Sequence, residues 1–232
     1  MAFLGQLKAG RGAVAPAARL LALALLLLAA AGCTPSVEEA GLRPQSCTPR
    51  VSFAEEDAGA REAGEARVFR ATYRHRDCSQ RYGLAYEGEI AGPAVKRLIA
   101  SYGAWSRDRE IDFLVMNSPG GSVQAGLVMA HFVISQDLAV LIGDHMVCVS
   151  MCSFVFIAAN RRLMDEGARL GIHSASDAAG TPSPRTNYTL ARLLSLVPGA
   201  RADAYLEIAN QTPPNSVTWL NAEQARALGF AD

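Results

Sequence analysis

The sequence lacks an excess of charge of either sign. Its 232 residues include 22 lysines and arginines and 22 aspartates and glutamates, which leaves a formal net charge of zero at pH 7. Nucleic-acid binding depends on clustered basic side chains that neutralise phosphates, and no basic patch is visible. The sequence also shows no internal repeat and no metal-ligand spacing of histidines, cysteines and carboxylates. We therefore expect no nucleic-acid partner, no metal and no other cofactor.

Long apolar runs are also missing. The apolar stretch near the N-terminus, "LLALALLLLAAA", covers only residues 20–31, whereas a membrane-spanning helix needs about 20 apolar residues. A basic leader with Lys8, Arg11 and Arg19 precedes it. A basic leader followed by a short apolar core is typical of a secretory signal. The pattern predicts a signal peptide over residues 1–32 and an exported protein.

The end of this segment, "AAAGC", resembles a bacterial lipobox, in which the cysteine becomes lipid-modified after cleavage. Cys33 is that cysteine, although Ala30 stands where leucine is more usual. A lipid chain anchors a protein to a membrane without a spanning helix. Thr34 follows where an aspartate would indicate inner-membrane retention, which favours an outer-membrane lipoprotein facing the periplasm. The alternative is ordinary cleavage nearby that leaves Cys33 as a spare thiol.

Besides Cys33, the sequence contains four cysteines. In an exported protein an even number indicates disulfides, and four cysteines allow three pairings. We expect Cys47 to pair with Cys78, since both flank the less regular N-terminal region. Cys148 and Cys152, only four residues apart, either pair with each other or stay buried and reduced.

The composition changes along the chain. Residues 33–66 include the charged stretch "AEEDAGAREAGEA" and few apolar side chains, which predicts a flexible tether. Residues 67–232 alternate apolar strands with helices, which favours parallel pairing through right-handed crossovers. The predicted fold class is therefore α/β, a mainly parallel sheet flanked by helices. Strands are expected at 82–90, 111–117, 138–143, 161–164 and 168–174, helices at 93–105, 122–135, 151–160, 187–196, 201–211 and between Asn221 and Gly229, and an exposed loop at 175–186.

Four short motifs follow these elements in order: "NSPGGSV" at 117–123, "CVSMCS" at 148–153, "GIHS" at 171–174 and "WLNAEQARALGFAD" at 219–232. Together they resemble the Clp protease proteolytic subunit and its relatives in the ClpP/crotonase superfamily, from about Leu84 to the C-terminus. The resemblance implies a fold of repeated β-β-α and βαβ units, peptide or protein substrates, and self-association into rings or trimers. Nothing in the sequence indicates an ATPase partner, and an exported protein would meet no ATP.

The resemblance assigns four residues to a hydrolytic site. Ser150 corresponds to the nucleophile, His173 to the general base, and Gly121 and Met151 to the backbone N–H donors of the oxyanion hole. Serine is a weak nucleophile until a base takes its proton. Each N–H group aimed at the developing oxyanion lowers the barrier by about 3–4 kcal/mol. Glycine permits the close approach, and Met151 lies in the first turn of a predicted helix, where amides lack partners.

Each residue also has an explanation without catalysis. The glycines could form only a turn, Ser150 could cap its helix, and His173 could be a core histidine. His145, in the loop before Ser150, is a rival base, and Cys152 is a rival nucleophile if the helix dipole stabilises its thiolate. The remaining histidines are His75 and His131.

The sequence departs from the family at the third member of the triad, because Val217 stands where the aspartate belongs. Valine cannot orient or stabilise an imidazolium, and losing this member can cost about 10⁴ in rate. Either Asn215, Asp177 or Asp203 replaces the aspartate, or His173 works in a dyad, or the site is degraded.

Three hypotheses follow. The first is an exported serine hydrolase of the peptidase type, in which the loop at 175–186 covers the substrate groove. The second is a pseudoenzyme that binds peptides or proteins in the cell envelope without cutting them. The third is an acyl-CoA enzyme of the crotonase branch, which the export signal disfavours because CoA is cytoplasmic.

Overall fold

The computed structural model describes residues 47–48, 50–54, 66–177 and 179–232. The predicted signal peptide, the lipidation site Cys33 and most of the predicted tether lie outside these residues. None of the helices that the described residues form is both long and apolar enough to cross a membrane. In chain order the elements are β1 (Arg50–Phe53), β2 (Arg67–Arg74), β3 (Gln80–Glu87), α1 (Gly92–Trp105), β4 (Ile111–Asn117), α2 (Val123–Ser135), β5 (Ala139–Ile142), β6 (Val147–Val149), α3 (Met151–Ala158), β7 (Arg162–Met164), β8 (Arg169–Ile172), α4 (Pro184–Leu194), α5 (Ala202–Gln211), β9 (Thr218–Leu220) and α6 (Ala222–Ala227).

A six-stranded sheet, in the order β1-β2-β3-β4-β5-β7, forms the centre of the fold. Strands β3, β4, β5 and β7 are parallel, whereas β1 and β2 extend the sheet in antiparallel pairing. The central strand β4 is buried on both faces, as its continuous apolar sequence predicts. Leu114 and Met116 belong to the main core, while Phe113 and Val115 belong to a smaller cluster on the opposite face.

A second sheet has three strands in the order β6-β8-β9. β6 and β8 are parallel, and β8 and β9 are antiparallel. The α/β prediction is confirmed, with parallel pairing from β3 to β7 and antiparallel pairing at one edge of each sheet. Neither β6 nor β9 was expected, because each is only three residues long and such short segments carry no periodic pattern.

The N-terminal region differs from the prediction in its first two strands, since no strand was expected before residue 82 and β2 spans Arg67–Arg74. Residues Arg50–Phe53, expected within the tether, form β1 and pair with β2. The predicted disulfide between Cys47 and Cys78 is confirmed. It links the chain just before β1 to the turn between β2 and β3. The β1–β2 pairing joins residues far apart in sequence, such as Arg50 and Arg74, so local composition gave no sign of it.

Candidate active site

The turn after β4 is bonded directly to the strand that leads to Ser150. The N–H of Ser118 donates to the carbonyl of Val147 (2.8 Å), and the N–H of Val149 donates to the carbonyl of Ser118 (3.0 Å). Ser118 is completely buried, and its Oγ accepts a hydrogen bond from the N–H of Gly120 at 3.1 Å. These bonds place the glycine pair beside the beginning of α3.

The two glycines of this turn have different neighbours. Gly120 has a φ of +96°, and a Cβ there would lie 2.6 Å from both the Ser150 Cβ and the Val149 carbonyl oxygen. Gly121 has a φ of +145°, and a Cβ there would collide with the carbonyl oxygen of Ile90. Both positions therefore exclude a side chain, for reasons of space as well as conformation. The backbone that touches Ser150 belongs to Gly120, which sequence reasoning had not assigned a role.

The N–H of Gly121 faces away from its strand neighbour. The N–H of Ile90 donates to the carbonyl of Gly120 (2.7 Å), and the N–H of Ser122 donates to the carbonyl of Ile90 (2.9 Å). Because successive backbone groups alternate in direction along a paired segment, the N–H of Gly121 points to the other side. Within the described residues, neither this N–H nor that of Met151 donates a hydrogen bond to the protein.

Ser150 lies between β6 and α3 in a conformation that is unusual for a residue with a side chain. Its φ is 57° and its ψ is −123°, a region that costs about 1–3 kcal/mol and occurs most often at functional sites. Its N–H donates to the carbonyl of Gly171 at 2.9 Å. The hydroxyl makes no capping hydrogen bond, so the helix-cap explanation does not describe this serine.

A second disulfide joins Cys148 and Cys152, two residues on either side of Ser150. Both cysteines are completely buried. The bridge ties the last residues of β6 to the first turn of α3 and so braces the turn that carries the serine. Pairing of these cysteines, one of two predicted alternatives, is confirmed. While this bridge is closed, Cys152 has no free thiolate that could act as a nucleophile.

His173 follows β8 and is half buried. Its Nδ1 lies 2.9 Å from the carbonyl oxygen of Ser174. A carbonyl can only accept, so Nδ1 is the donor in this contact, and the neutral tautomer that fits it has its lone pair on Nε2. Within the described part of the chain no hydrogen bond joins His173 to Ser150. The rival base His145 is exposed and lies 3.1 Å from the Asp144 carboxylate.

Val217, at the position of the expected triad aspartate, makes apolar contacts. Its Cγ1 would lie 2.8 Å from a Cβ placed on Gly171, so the valine packs against the bare backbone of β8. This contact explains why glycine occupies position 171 two residues before the histidine. No carboxylate takes the place of the aspartate at this position.

The three suggested replacements for the aspartate are engaged elsewhere or exposed. The carboxylate of Asp177 accepts the N–H of Thr181 (2.9 Å) within its own loop. Asp203 is exposed and bonds Arg201, which holds the pKa of the carboxyl at about 2. Asn215 is exposed. Among the described residues, the Nδ1 partner of the histidine is therefore a backbone carbonyl, which a residue motif cannot reveal.

The four predicted site residues line one cavity of about 280 Å³. Tyr205 closes one side, and burial raises the pKa of its hydroxyl, which therefore stays protonated at neutral pH. The following loop contributes Ala175, whose carbonyl accepts the N–H of Ser183 at 2.7 Å. Most described residues of the predicted exposed loop are exposed, its ends are joined by this hydrogen bond, and α4 begins within it at Pro184. The cavity is lined by Pro119, Gly121, Val123, Ser150, Met151, His173, Ala175, Ser176, Leu190 and Tyr205.

Comparison with known families agrees with this architecture. A family model described as Clp protease matches residues 85–232, which is more than half of the chain. The chain belongs to the Clp protease family. Among curated proteins, none shows significant sequence similarity to it. Clp protease membership supports a serine peptidase type of function, and the described residues contain no group of His, Cys, Asp and Glu placed to hold a metal ion.

The contact between Gly120 and Ser150 can be tested with a matched pair of variants. Gly180 also has a positive φ, of +79°, but a Cβ there would meet nothing within 4 Å. Both Gly→Ala changes incur a conformational cost of about 1–2 kcal/mol. We expect Gly120→Ala to lose about 1–3 kcal/mol more, because the new methyl group overpacks the turn. Urea denaturation measures both, and equal losses would contradict the contact.

Proposed function

We propose that this member of the Clp protease family is a serine hydrolase of the peptidase type. Ser150 is the nucleophile, His173 is the general base, and Gly121 and Met151 donate to the oxyanion. The observation that carries the proposal is the cavity in which these residues meet. There a serine in a strained conformation lies at the beginning of a helix, beside two backbone N–H groups that lack protein partners in the described structure.

The chemistry follows from this arrangement. As Ser150 Oγ bonds to the acyl carbon, its proton passes to Nε2 of His173, and the carbonyl electrons move to the oxygen. The N–H groups of Gly121 and Met151 stabilise that oxyanion. The intermediate collapses when the imidazolium gives its proton to the leaving amine. Water then attacks the acyl-enzyme with the same base, which releases the carboxylic acid and restores the serine.

The resting molecule has no Ser150–His173 hydrogen bond among its described contacts, which is consistent with a site that tightens when substrate enters. The cavity offers apolar surface from Val123, Leu190 and Tyr205. A peptide with an apolar side chain before the scissile bond fits these walls best. The Tyr205 hydroxyl has no protein partner among the described residues, so it can donate to a substrate carbonyl.

The proposal includes export and attachment to the outer membrane through a lipid on Cys33. Two disulfides in the described region support an oxidising compartment. Metabolic labelling with a fatty acid should mark the full chain but not Cys33→Ser, and labelling of both would contradict the assignment.

Self-association is also part of the proposal, because proteins of this family typically assemble, and sedimentation that shows only monomers would contradict it.

The second candidate is a binding module with the same fold. Two observations favour it: Val217 supplies no carboxylate, and the described structure has no hydrogen bond between the serine and the histidine. Such a protein would hold peptides in the cavity without reacting with them. Reactivity of Ser150 decides between the two functions.

Fluorophosphonate labelling of residues 34–232 tests this reactivity. We expect labelling of the wild type, none of Ser150→Ala, and labelling slowed by about 10²–10⁴-fold in His173→Ala, since general-base catalysis contributes about that much. His145→Ala, which alters an exposed histidine outside the cavity, is the matched control and should label like the wild type.

The disulfide provides a further arm of the same experiment. Reductant and Cys152→Ala both open the bridge around Ser150, so we expect slower labelling in each case without its complete loss. If labelling were lost completely in Cys152→Ala but fully retained in Ser150→Ala, the nucleophile would be Cys152 and the assignment of Ser150 would be wrong. A folded wild type that never labels, with or without reductant, would favour the binding module.

A further inference from the structure

We propose that Asn187 is a positioning residue for His173. Its buried amide orients the Ser174–Ala175 peptide, whose carbonyl takes the place of the missing triad carboxylate. This inference rests on the proposed function, in which His173 is the base. The family resemblance assigns no role to Asn187, which lies outside the four motifs that carry the resemblance.

Asn187 and His173 bind opposite sides of one peptide group. The Oδ1 of Asn187 accepts the N–H of Ala175 at 2.8 Å, and Nδ1 of His173 lies 2.9 Å from the carbonyl oxygen of Ser174. That N–H and that carbonyl belong to the same planar unit, and in a trans peptide they point in opposite directions. Fixing the N–H therefore also fixes the direction in which the carbonyl faces the imidazole.

Two further bonds hold Ser174, the residue that supplies this carbonyl. Nδ2 of Asn187 donates to the Oγ of Ser174 at 2.9 Å, and the N–H of Ser174 donates to the carbonyl of Thr212 at 2.8 Å. Ser174, Asn187 and Thr212 are almost completely buried, with exposed fractions of 3%, 1% and 4%. A buried network whose members are all bonded is rigid, because every alternative arrangement leaves a polar group without a partner.

The amide group of asparagine suits this position because it is both donor and acceptor. Its acceptor oxygen serves Ala175, while its Nδ2 serves Ser174 and also Asn210, whose Oδ1 lies 3.0 Å away. An apolar residue at position 187 would leave the part-buried N–H of Ala175 without this partner. That loss would destabilise the orientation of the Ser174–Ala175 peptide, which faces His173.

The consequence for His173 is a defined tautomer without a fixed negative charge. The Ser174 carbonyl accepts from Nδ1, as an aspartate would, and so directs the lone pair of Nε2 toward proton transfer. A neutral carbonyl stabilises the imidazolium less than a carboxylate does. The site is thus expected to keep its geometry and to forgo part of the charge stabilisation that a triad supplies.

The direct test is the tautomer of His173, read from the imidazole ¹⁵N shifts by long-range proton–nitrogen NMR at a pH of about 8.5, where an ordinary histidine is neutral. We expect hydrogen on Nδ1 in the wild type and a mixture of tautomers in folded Asn187→Ala. Asn187→Asp keeps the acceptor for Ala175 and should keep the wild-type tautomer. Asn210→Ala, the matched control, removes a partner of the amide that does not contact the Ser174–Ala175 peptide.

Fluorophosphonate labelling gives the second readout. Loss of outer hydrogen-bond partners of metal-bound histidines costs about 10–100-fold, and we expect a loss of that order in Asn187→Ala but little change in Asn210→Ala. If the wild type does not label but the tautomer responds to Asn187, the positioning inference stands and the proposed function fails. Hydrogen on Nε2 in the wild type overturns the inference even if no variant folds, and so does a folded Asn187→Ala with unchanged tautomer and labelling.

Discussion

The candidate site depends on one close backbone contact, between the turn after β4 and the beginning of α3. Gly120 can lie against Ser150 because glycine has no Cβ and tolerates a positive φ, whereas any other residue would place its Cβ too close to the serine. Hydrogen bonds of the buried Ser118 hold the turn against β6. This contact brings two N–H groups from different parts of the chain beside one serine. A shift of one ångström here would separate the serine from the groups that would stabilise its oxyanion.

The strain at Ser150 is supported from both sides. The Cys148–Cys152 disulfide joins the residues that flank it, and the Ser150 N–H is bonded to β8. His173 follows β8 directly, so the strand that is bonded to the Ser150 backbone also fixes the position of the His173 backbone. Precise placement of reacting groups by rigid elements accounts for much of the rate that enzymes achieve. In the proposed mechanism these buried contacts hold Ser150 and His173 in position, while Val217 stands where the triad carboxylate would be.

Much of this arrangement was predictable from the sequence. The apolar strand at 111–117 was predicted from its own pattern, whereas the glycine pair, the serine and the histidine after "RLGI" were assigned to one site by their resemblance to the family's motifs. Apart from the eight-residue strand β2, which was also missed, the parts that were missed are not local. β1 exists through pairing and a disulfide, β6 and β9 are too short for a pattern, and the Nδ1 partner of His173 is a backbone carbonyl. Every residue has such a carbonyl, so only the fold shows that the one at Ser174 is held by Asn187.

In the proposed mechanism, Gly121 and Met151 donate to the charge that develops on an acyl oxygen after attack by Ser150. A crystal structure of the phosphonylated protein tests it most directly, since the phosphonyl oxygen occupies the place of the oxyanion. We expect a bond from Ser150 Oγ to phosphorus, with that oxygen within about 2.7–3.1 Å of both backbone nitrogens. Phosphorus on another residue, or an oxygen directed away from both N–H groups, would contradict the account.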